Sequence, residues 1–189
     1  MTVDELVSRT KQILSEKAVL RFEEPVELAS GQLSNFFVDG KAGLAEAADL
    51  RIACQAIHEL LVAAGIEYDA VGGLTLGADH LAVGTALAGD KRWFFVRKEP
   101  KGRGTGKQIE GADVGAGDRV VIVEDVVSTG GSMLTAIDVV QRAGATVVAA
   151  CTLIDRGGHV GPGLAARGIR YLPVATHVDL GLPPVSASA

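Results

Sequence analysis

Apolar residues recur at helical spacing in two stretches near the start of the chain. The first stretch predicts an amphipathic helix over about 3–17, and the second predicts a helix over 46–64. Gly65 follows the second stretch, where a glycine commonly ends a helix. Between the two helices, strand-like stretches flank Ser30-Gly31, so a hairpin or paired loop is predicted over Val26 to Val38.

From residue 69 onward, short apolar runs alternate with segments of helical period. The run Val120-Val121-Ile122-Val123 carries no polar residue, which is typical of a strand buried on both faces of a parallel sheet. The predicted strands cover 69–72, 93–96, 119–124, 146–154 and 170–173, and the predicted helices cover 77–89, 131–143 and 160–167. This alternation predicts the α/β class, with a central, mainly parallel sheet flanked by helices.

The length of 189 residues fits one full hydrophobic core, so a single domain over 1–189 is predicted. The last eight residues, 182–189, show no periodicity and are predicted to form a disordered tail. Two cysteines, Cys54 and Cys151, fit no metal-binding or disulfide spacing, and the N-terminus lacks the apolar stretch of a secretion signal. A cytoplasmic location is therefore expected.

The charge balance limits the classes of partner. Eighteen Lys and Arg residues against 23 Asp and Glu give a net charge of −5, so the overall field repels nucleic acid and anionic membranes. No apolar run approaches the roughly 20 residues that a membrane helix needs. Neither nucleic acid nor membrane is expected as a partner, and any anionic ligand must be bound by a local concentration of donors.

The segment from Val120 to Ser132 has the most informative pattern. A buried strand leads into two carboxylates, Glu124 and Asp125, and then into a short turn of hydroxyls and glycines that opens a helix near Ser132. Backbone amides at glycines, hydroxyl donors and a helix N-terminus together suit a phosphate group, while the carboxylates suit sugar hydroxyls. A ribose phosphate fits both features. The alternative is an ordinary strand-to-helix turn with an acidic cap.

A second unusual segment is basic and rich in glycine. Five of the 18 basic residues fall within 97–107, together with Gly102, Gly104 and Gly106. Concentrated positive charge in an acidic protein favours binding of a compact polyanion, and glycines give the freedom that a closing loop needs. The alternatives are a solvated basic loop or a weak nucleic-acid patch, although no aromatic residues are interleaved to support the latter.

The 120–132 string resembles the PRPP-binding motif of the type I phosphoribosyltransferases, in which a hydrophobic strand, two acids and two apolar residues precede small hydroxyl and glycine residues. The 97–107 loop resembles the catalytic loop of those family members that act on orotate, which reaches into the partner subunit of a dimer and contacts the PRPP diphosphate. These members commonly have histidine where this chain has Arg103. Arginine keeps the charge but does not titrate near neutral pH.

The resemblance implies a set of site residues. Lys101 and Asp125 are implied as catalytic. The implied PRPP contacts are Arg97, Lys98, Lys101, Arg103, Glu124, Asp125, Val126, Val127, Ser128, Thr129, Gly130, Gly131 and Ser132. By the same resemblance, the turn at 72–79 corresponds to a diphosphate loop that binds through backbone amides.

The implied orotate contacts are Phe36, Phe37, Ser128 and Arg156. The segment 28–39 resembles the N-terminal element that closes over orotate, which implies a small hood from about 1–40 over the C-terminal strand edge. Because neighbouring residues on a strand face opposite sides, only one of Phe36 and Phe37 is expected to stack on the base. The alternative, without the resemblance, is that both rings only pack in the hood or the core.

The resemblance implies an enzyme of pyrimidine synthesis that transfers 5-phosphoribose from PRPP to orotate and acts as a homodimer. Mg²⁺ is the implied cofactor, held mainly by the diphosphate and the sugar hydroxyls rather than by a site of protein side chains. Two rivals remain open at this point. One is a related enzyme acting on a purine or uracil, and the other is a non-catalytic regulator that senses PRPP.

Overall fold

The computed structural model describes residues 1–27, 33–100 and 107–185. The helices are α1 (Val3–Lys17), α2 (Gly40–Gly43), α3 (Ala47–Ala63), α4 (Asp79–Gly89), α5 (Gly131–Arg142) and α6 (Val160–Ala166). The strands are β1 (Val19–Glu27), β2 (Leu33–Val38), β3 (Ala70–Leu74), β4 (Arg92–Val96), β5 (Ile109–Gly111), β6 (Arg119–Val127), β7 (Thr146–Asp155) and β8 (Arg170–Thr176).

Six strands form one sheet in the order β5-β4-β3-β6-β7-β8. All neighbouring pairs are parallel except β4 and β5, which are antiparallel. The prediction of a central, mainly parallel sheet is therefore confirmed. Strand β6 lies between β3 and β7 in the middle of this sheet, which explains why its sequence is a continuous apolar run.

Helices cover both faces of the sheet and divide the interior into two apolar layers. In β6, Val121 and Val123 pack in one layer with side chains of α1, α3 and α4. Val120 and Ile122 pack in the other layer with side chains of α5 and α6. The alternation of faces along a strand produces this division. The rigid sheet thus fixes the position of the loops that follow β6 and β7.

In the N-terminal helix α1, the residues that begin the helix and those that are buried follow the pattern expected of an amphipathic helix. Thr2 and Glu5 form a capping box, in which each side chain accepts a hydrogen bond from the other residue's backbone amide. Leu6, Ile13 and Leu14 are buried on one face of α1, which packs chiefly against α3 and also contacts β8. The helix matches the predicted range of 3–17.

Several predicted elements differ from the structure. Strand β1 begins at Val19 rather than near Val26, because most of its residues are exposed and leave no apolar alternation to read. Strand β5 has only three residues and was not predicted. Strand β6 continues through Val127 rather than ending at residue 124, so Asp125 lies within the strand together with Glu124. Ser30-Gly31, the predicted hairpin turn, lies outside the described residues.

The prediction of a disordered tail over 182–189 is wrong for its first half. Leu182 and Val185 are buried, and the Val185 amide donates to the Arg156 carbonyl at 2.8 Å. This contact is made through the backbone and through two isolated apolar side chains, so no periodic pattern reports it. Residues 186–189 lie outside the described chain.

Within the parts of the chain that the structure describes, no helix is both long enough and apolar enough to span a bilayer.

Candidate active site

A cleft of about 400 Å³ opens at the C-terminal ends of β6 and β7. This is the edge of the sheet at which open α/β folds bind ligands. Its walls come from the end of β2, the start of α2, the end of β6, the turn into α5 and the turn after β7. The described residues that line it are Phe37, Val38, Lys41, Glu124, Asp125, Val126, Val127, Ser128, Thr129, Gly130, Gly131, Ser132, Met133 and Arg156.

Glu124 and Asp125 form the acidic side of the cleft, where only 5% and 8% of their surfaces are exposed. They are neighbours on β6, yet both carboxyl groups approach Gly77 in the turn between β3 and α4. A Cβ atom at Gly77 would lie 2.5 Å from Glu124 Oε1 and 2.7 Å from Asp125 Oδ1. Glycine is therefore required at this position for the turn and the two carboxyl groups to meet.

The two carboxyl groups differ in their electrostatic surroundings. Burial, and next the charge of Asp125, raise the pKa of Glu124 to about 8. Glu124 Oε2 is buried and has no hydrogen-bond partner among the described residues. Glu124 is thus largely protonated at neutral pH when the cleft holds no ligand, and its free oxygen can pair with a ligand hydroxyl.

Lys41 supplies a cation that the sequence reasoning missed. Its Nζ lies 3.1 Å from Asp125 Oδ2, and about half of its side chain is exposed to the cleft. Burial lowers the pKa of Lys41, but the hydrogen bond and the charge of Asp125 more than offset this effect and leave the pKa raised. The ion pair keeps one positive and one negative charge side by side at the acidic side of the cleft. Lys41 lies in α2, shortly after β2, and no local motif marks it.

The turn from β6 into α5 forms the opposite end of the cleft. Gly130 is the N-terminal cap of α5 and has φ +89°, a conformation that favours glycine. A Cβ atom here would also lie 2.5 Å from Val160 Cγ2. The first turn of α5 lines the cleft beside Ser128 and Thr129, and the free backbone amides of a helix N-terminus suit an anionic group.

Arg156 and Phe37 lie on the remaining walls. Arg156 is only 3% exposed, and its backbone amide donates to the Val127 carbonyl at 2.7 Å. Burial lowers the pKa of Arg156, and Nε is buried without a partner in the described chain. Phe37 is 40% exposed and lines the cleft, whereas Phe36 packs against the apolar layer beneath, with Arg21 Cζ 5.4 Å from its ring centroid. Only one of the two rings therefore faces the cleft.

The basic loop contributes nothing to the described lining of this cleft. Arg97 lies just beyond β4, where its backbone pairs with that of Gln108 and its Nη1 lies 3.7 Å from Glu110 Oε1. Lys98 is exposed. Lys101 and Arg103 lie outside the described residues. Their predicted contacts to PRPP remain predictions.

No three His, Cys, Asp or Glu side chains within the described ranges come together as a metal-binding group. The Glu124–Asp125 pair nevertheless has the donor chemistry that Mg²⁺ prefers, since Glu124 Oε2 is an unpartnered carboxyl oxygen at the cleft. These residues fit a hydrated Mg²⁺ ion that arrives with an anionic substrate and keeps several of its waters.

Comparison with known families defines the class of protein. A family model described as a phosphoribosyl transferase domain matches residues 44–165. The match covers more than half of the chain and includes the acidic pair, the glycine turn and Arg156. The chain therefore belongs to the phosphoribosyltransferase family.

Individual relatives narrow this class. The orotate phosphoribosyltransferase of Corynebacterium glutamicum strain R is 38% identical over 173 residues, which cover 90% of this chain and 91% of that protein. That of Thermococcus gammatolerans is 39% identical over 147 residues, covering 78% and 77%. A crystal structure of Mycobacterium tuberculosis orotate phosphoribosyltransferase in complex with PRPP has a TM-score of 0.77 and 34% identity, covering 94% of this chain and 99% of that one. These similarities place the chain among the orotate phosphoribosyltransferases.

Proposed function

We propose that this chain transfers the 5-phosphoribosyl group of PRPP to orotate, giving orotidine 5-monophosphate and diphosphate for pyrimidine synthesis. The observation that carries the proposal is the convergence of four groups in one cleft: the acidic pair, the glycine turn, Phe37 and Arg156. The relatives named orotate phosphoribosyltransferase support the choice of reaction. The related structure with PRPP supports the choice of donor substrate.

The ribose phosphate would occupy the side of the cleft formed by β6 and α5. Amides and hydroxyls of residues 128–132 would bind the 5-phosphate, with the N-terminus of α5 adding positive partial charge. Glu124 and Asp125 would bind the 2- and 3-hydroxyls. Loss of diphosphate leaves positive charge on the ribosyl ring, and the ionised Asp125 would stabilise that charge. The protein would therefore act by positioning and electrostatics rather than by covalent chemistry.

The base would occupy the side formed by Phe37 and Arg156. The Phe37 ring offers an apolar face for stacking on a flat pyrimidine. The Arg156 guanidinium can pair with a carboxylate or a carbonyl edge through two parallel hydrogen bonds. Ser128 lies between the two sides and is assigned to both substrates. A purine or uracil lacks the orotate carboxylate, so the buried arginine favours orotate.

The 97–107 loop is proposed to reach the active site of the partner in a homodimer, where Lys98, Lys101 and Arg103 would stabilise the leaving diphosphate. The position of Arg97 and Lys98 outside the described lining of their own cleft supports this arrangement. Mixing a Lys101→Ala protein with an Asp125→Asn protein should restore part of the activity, because a hybrid dimer contains one intact site. Absence of recovery after verified subunit exchange would contradict a shared loop.

Mg²⁺ is proposed as the cofactor, and Glu124 and Asp125 as the carboxyl groups nearest to it when it arrives with PRPP. When bound, the ion would neutralise charge on the diphosphate. The cytoplasm is the proposed location. Cys54 and Cys151 are both free and buried, which is in keeping with a reducing compartment.

A direct assay tests the function. The purified protein should consume orotate, followed by its ultraviolet absorbance, only when PRPP and Mg²⁺ are both present, and orotidine 5-monophosphate should form in equal amount. Adenine, hypoxanthine and uracil should serve poorly under the same conditions. Efficient use of one of these bases in place of orotate would contradict the proposal.

A further inference from the structure

The turn that carries Arg156 is held in place by the last described segment of the chain. Residues 180–185, which we name the C-terminal strap, leave the end of β8 and cross back to this turn. Leu180, Leu182 and Val185 are buried along it. The strap therefore forms a packed part of the fold next to the base side of the cleft.

Val185 makes two hydrogen bonds to the turn that carries Arg156, one to Arg156 itself and one to His159. Its amide donates to the Arg156 carbonyl at 2.8 Å, and its own carbonyl lies 2.8 Å from His159 Nε2. Because a carbonyl can only accept, His159 must carry its proton on Nε2 in this contact. A Cβ atom at Gly157 would lie 2.5 Å from His159 Cδ2 and 2.8 Å from the Val185 carbonyl oxygen. The three groups thus pack with no space for a side chain between them.

The backbone of Arg156 is consequently fixed on both sides. Its amide donates to Val127 of β6, and its carbonyl accepts from Val185. Asp155 adds to this rigidity because its Oδ1 accepts from the amides of Gly157 and Gly158 at 3.0 and 2.7 Å. By contrast, Nε of the buried Arg156 side chain has no partner in the described residues. The backbone contacts therefore fix the point from which the Arg156 side chain extends.

We infer that the C-terminal strap, acting through the His159–Val185 pair, is a positioning element for Arg156 and thereby determines the affinity for the base. This inference rests on the proposed function, in which Arg156 binds orotate. A displacement of the turn would move the guanidinium away from the orotate carboxylate, and small errors in the position of a binding group have large kinetic effects. PRPP binding should be insensitive, because none of its proposed contacts lies on the turn after β7 or on the strap.

The test uses two substitutions of one residue. His159→Ala removes the donor to Val185, and His159→Gln keeps an amide donor near the position of Nε2. The alanine variant should raise KM for orotate about fivefold or more, as expected for one lost hydrogen bond. KM for PRPP should stay within twofold of the wild-type value, and His159→Gln should restore KM for orotate to within about threefold.

Arg167→Ala provides the matched control. Arg167 lies at the other end of α6 and pairs with Asp138 and Gln141, far from Arg156 in the chain. This variant should lower the melting temperature somewhat but leave KM for orotate unchanged. An equal rise in KM for orotate in Arg167→Ala would show a general loss of stability and would overturn the inference.

Val185→Pro gives a second, independent variant if His159→Ala does not fold. Proline removes the N–H that donates to the Arg156 carbonyl and keeps the carbonyl that accepts from His159. It should raise KM for orotate selectively in the same way. An unchanged KM for orotate, or an equal rise in KM for PRPP, would overturn the inference.

The activity of the wild-type protein distinguishes the two proposals. If the wild-type protein is inactive with orotate, the proposed function is refuted, and the inference with it. If the wild-type protein is active and the variants are unaffected, the inference alone is refuted.

Discussion

Glu124→Gln should stabilise the ligand-free protein at alkaline pH. Glu124 is almost completely buried, and burial together with the charge of Asp125 raises its pKa to about 8. Glutamine has nearly the same shape and keeps an oxygen that can accept the Asp125 amide, which contacts Glu124 Oε1 at 3.3 Å. The substitution therefore removes the ionisable group with little change in packing.

The sign and size of the effect follow from proton binding. The unfolded chain loses the Glu124 proton near the ordinary pKa of 4.5, whereas the folded chain keeps it up to about pH 8. The folded state binds more protons in that interval, so the free energy of unfolding falls as the pH rises through it. At about 1.4 kcal/mol for each pH unit, the loss is at most about 5 kcal/mol. For a domain of this size, each 1 kcal/mol gained by the variant would raise the melting temperature by about 2 to 4 °C.

Thermal unfolding at a series of pH values between 4 and 9 measures this effect. Wild type and Glu124→Gln should have similar melting temperatures near pH 4 and should diverge as the pH rises, with the variant more stable at pH 9. Glu59→Gln, which changes an exposed glutamate on α3, serves as the control and should follow wild type. A Glu124→Gln curve that runs parallel to wild type at every pH, or below it at pH 9, would refute the reasoning.

Substitutions at Gly130, at Lys41 and at the two phenylalanines test other parts of the site. Gly130→Ala should raise KM for PRPP at least about tenfold and lower the melting temperature, because a side chain is strained at φ +89°; steady-state kinetics that match wild type would contradict this. Lys41→Met should raise KM for PRPP about fivefold, because the methionine leaves Asp125 without its cation. Lys41→Arg keeps the cation and should be closer to wild type. Equal kinetics in both variants would argue against the ion pair. Phe37→Ala should raise KM for orotate with little loss of stability, whereas Phe36→Ala should lower the stability with little change in KM for orotate. If kinetics and thermal unfolding instead show the binding defect in Phe36→Ala and the stability loss in Phe37→Ala, the two roles are exchanged.

The sheet and the glycine turn after β6 could be predicted because their signals are local. A strand buried on both faces, such as Val120–Val123, must be continuously apolar, so its sequence alone indicates that it is buried. The acidic pair and the small residues after it are contiguous as well. Their proposed function depends on residue types within one strand-turn-helix unit, so a single continuous segment of the sequence contains all of them.

The remaining parts of the site depend on contacts between distant segments. Lys41 reaches Asp125 across 84 positions of the chain, and Gly77 meets both carboxyl groups from another loop. Neither contact leaves a periodic or composition signal. The C-terminal strap was missed for a related reason, since Val185 is held by backbone hydrogen bonds that any residue except proline could make. A periodic sequence pattern shows which face of a helix or strand is buried. It does not show which distant segments of the chain come together, and these contacts depend on that.

The most direct test of the central claim is a crystal structure of the protein with PRPP. The account predicts the 5-phosphate against the amides and hydroxyls of residues 128–132, and the 2- and 3-hydroxyls of the ribose against Glu124 and Asp125. A complex in which the ribose phosphate binds elsewhere and leaves the acidic pair and the glycine turn without ligand contacts would contradict it.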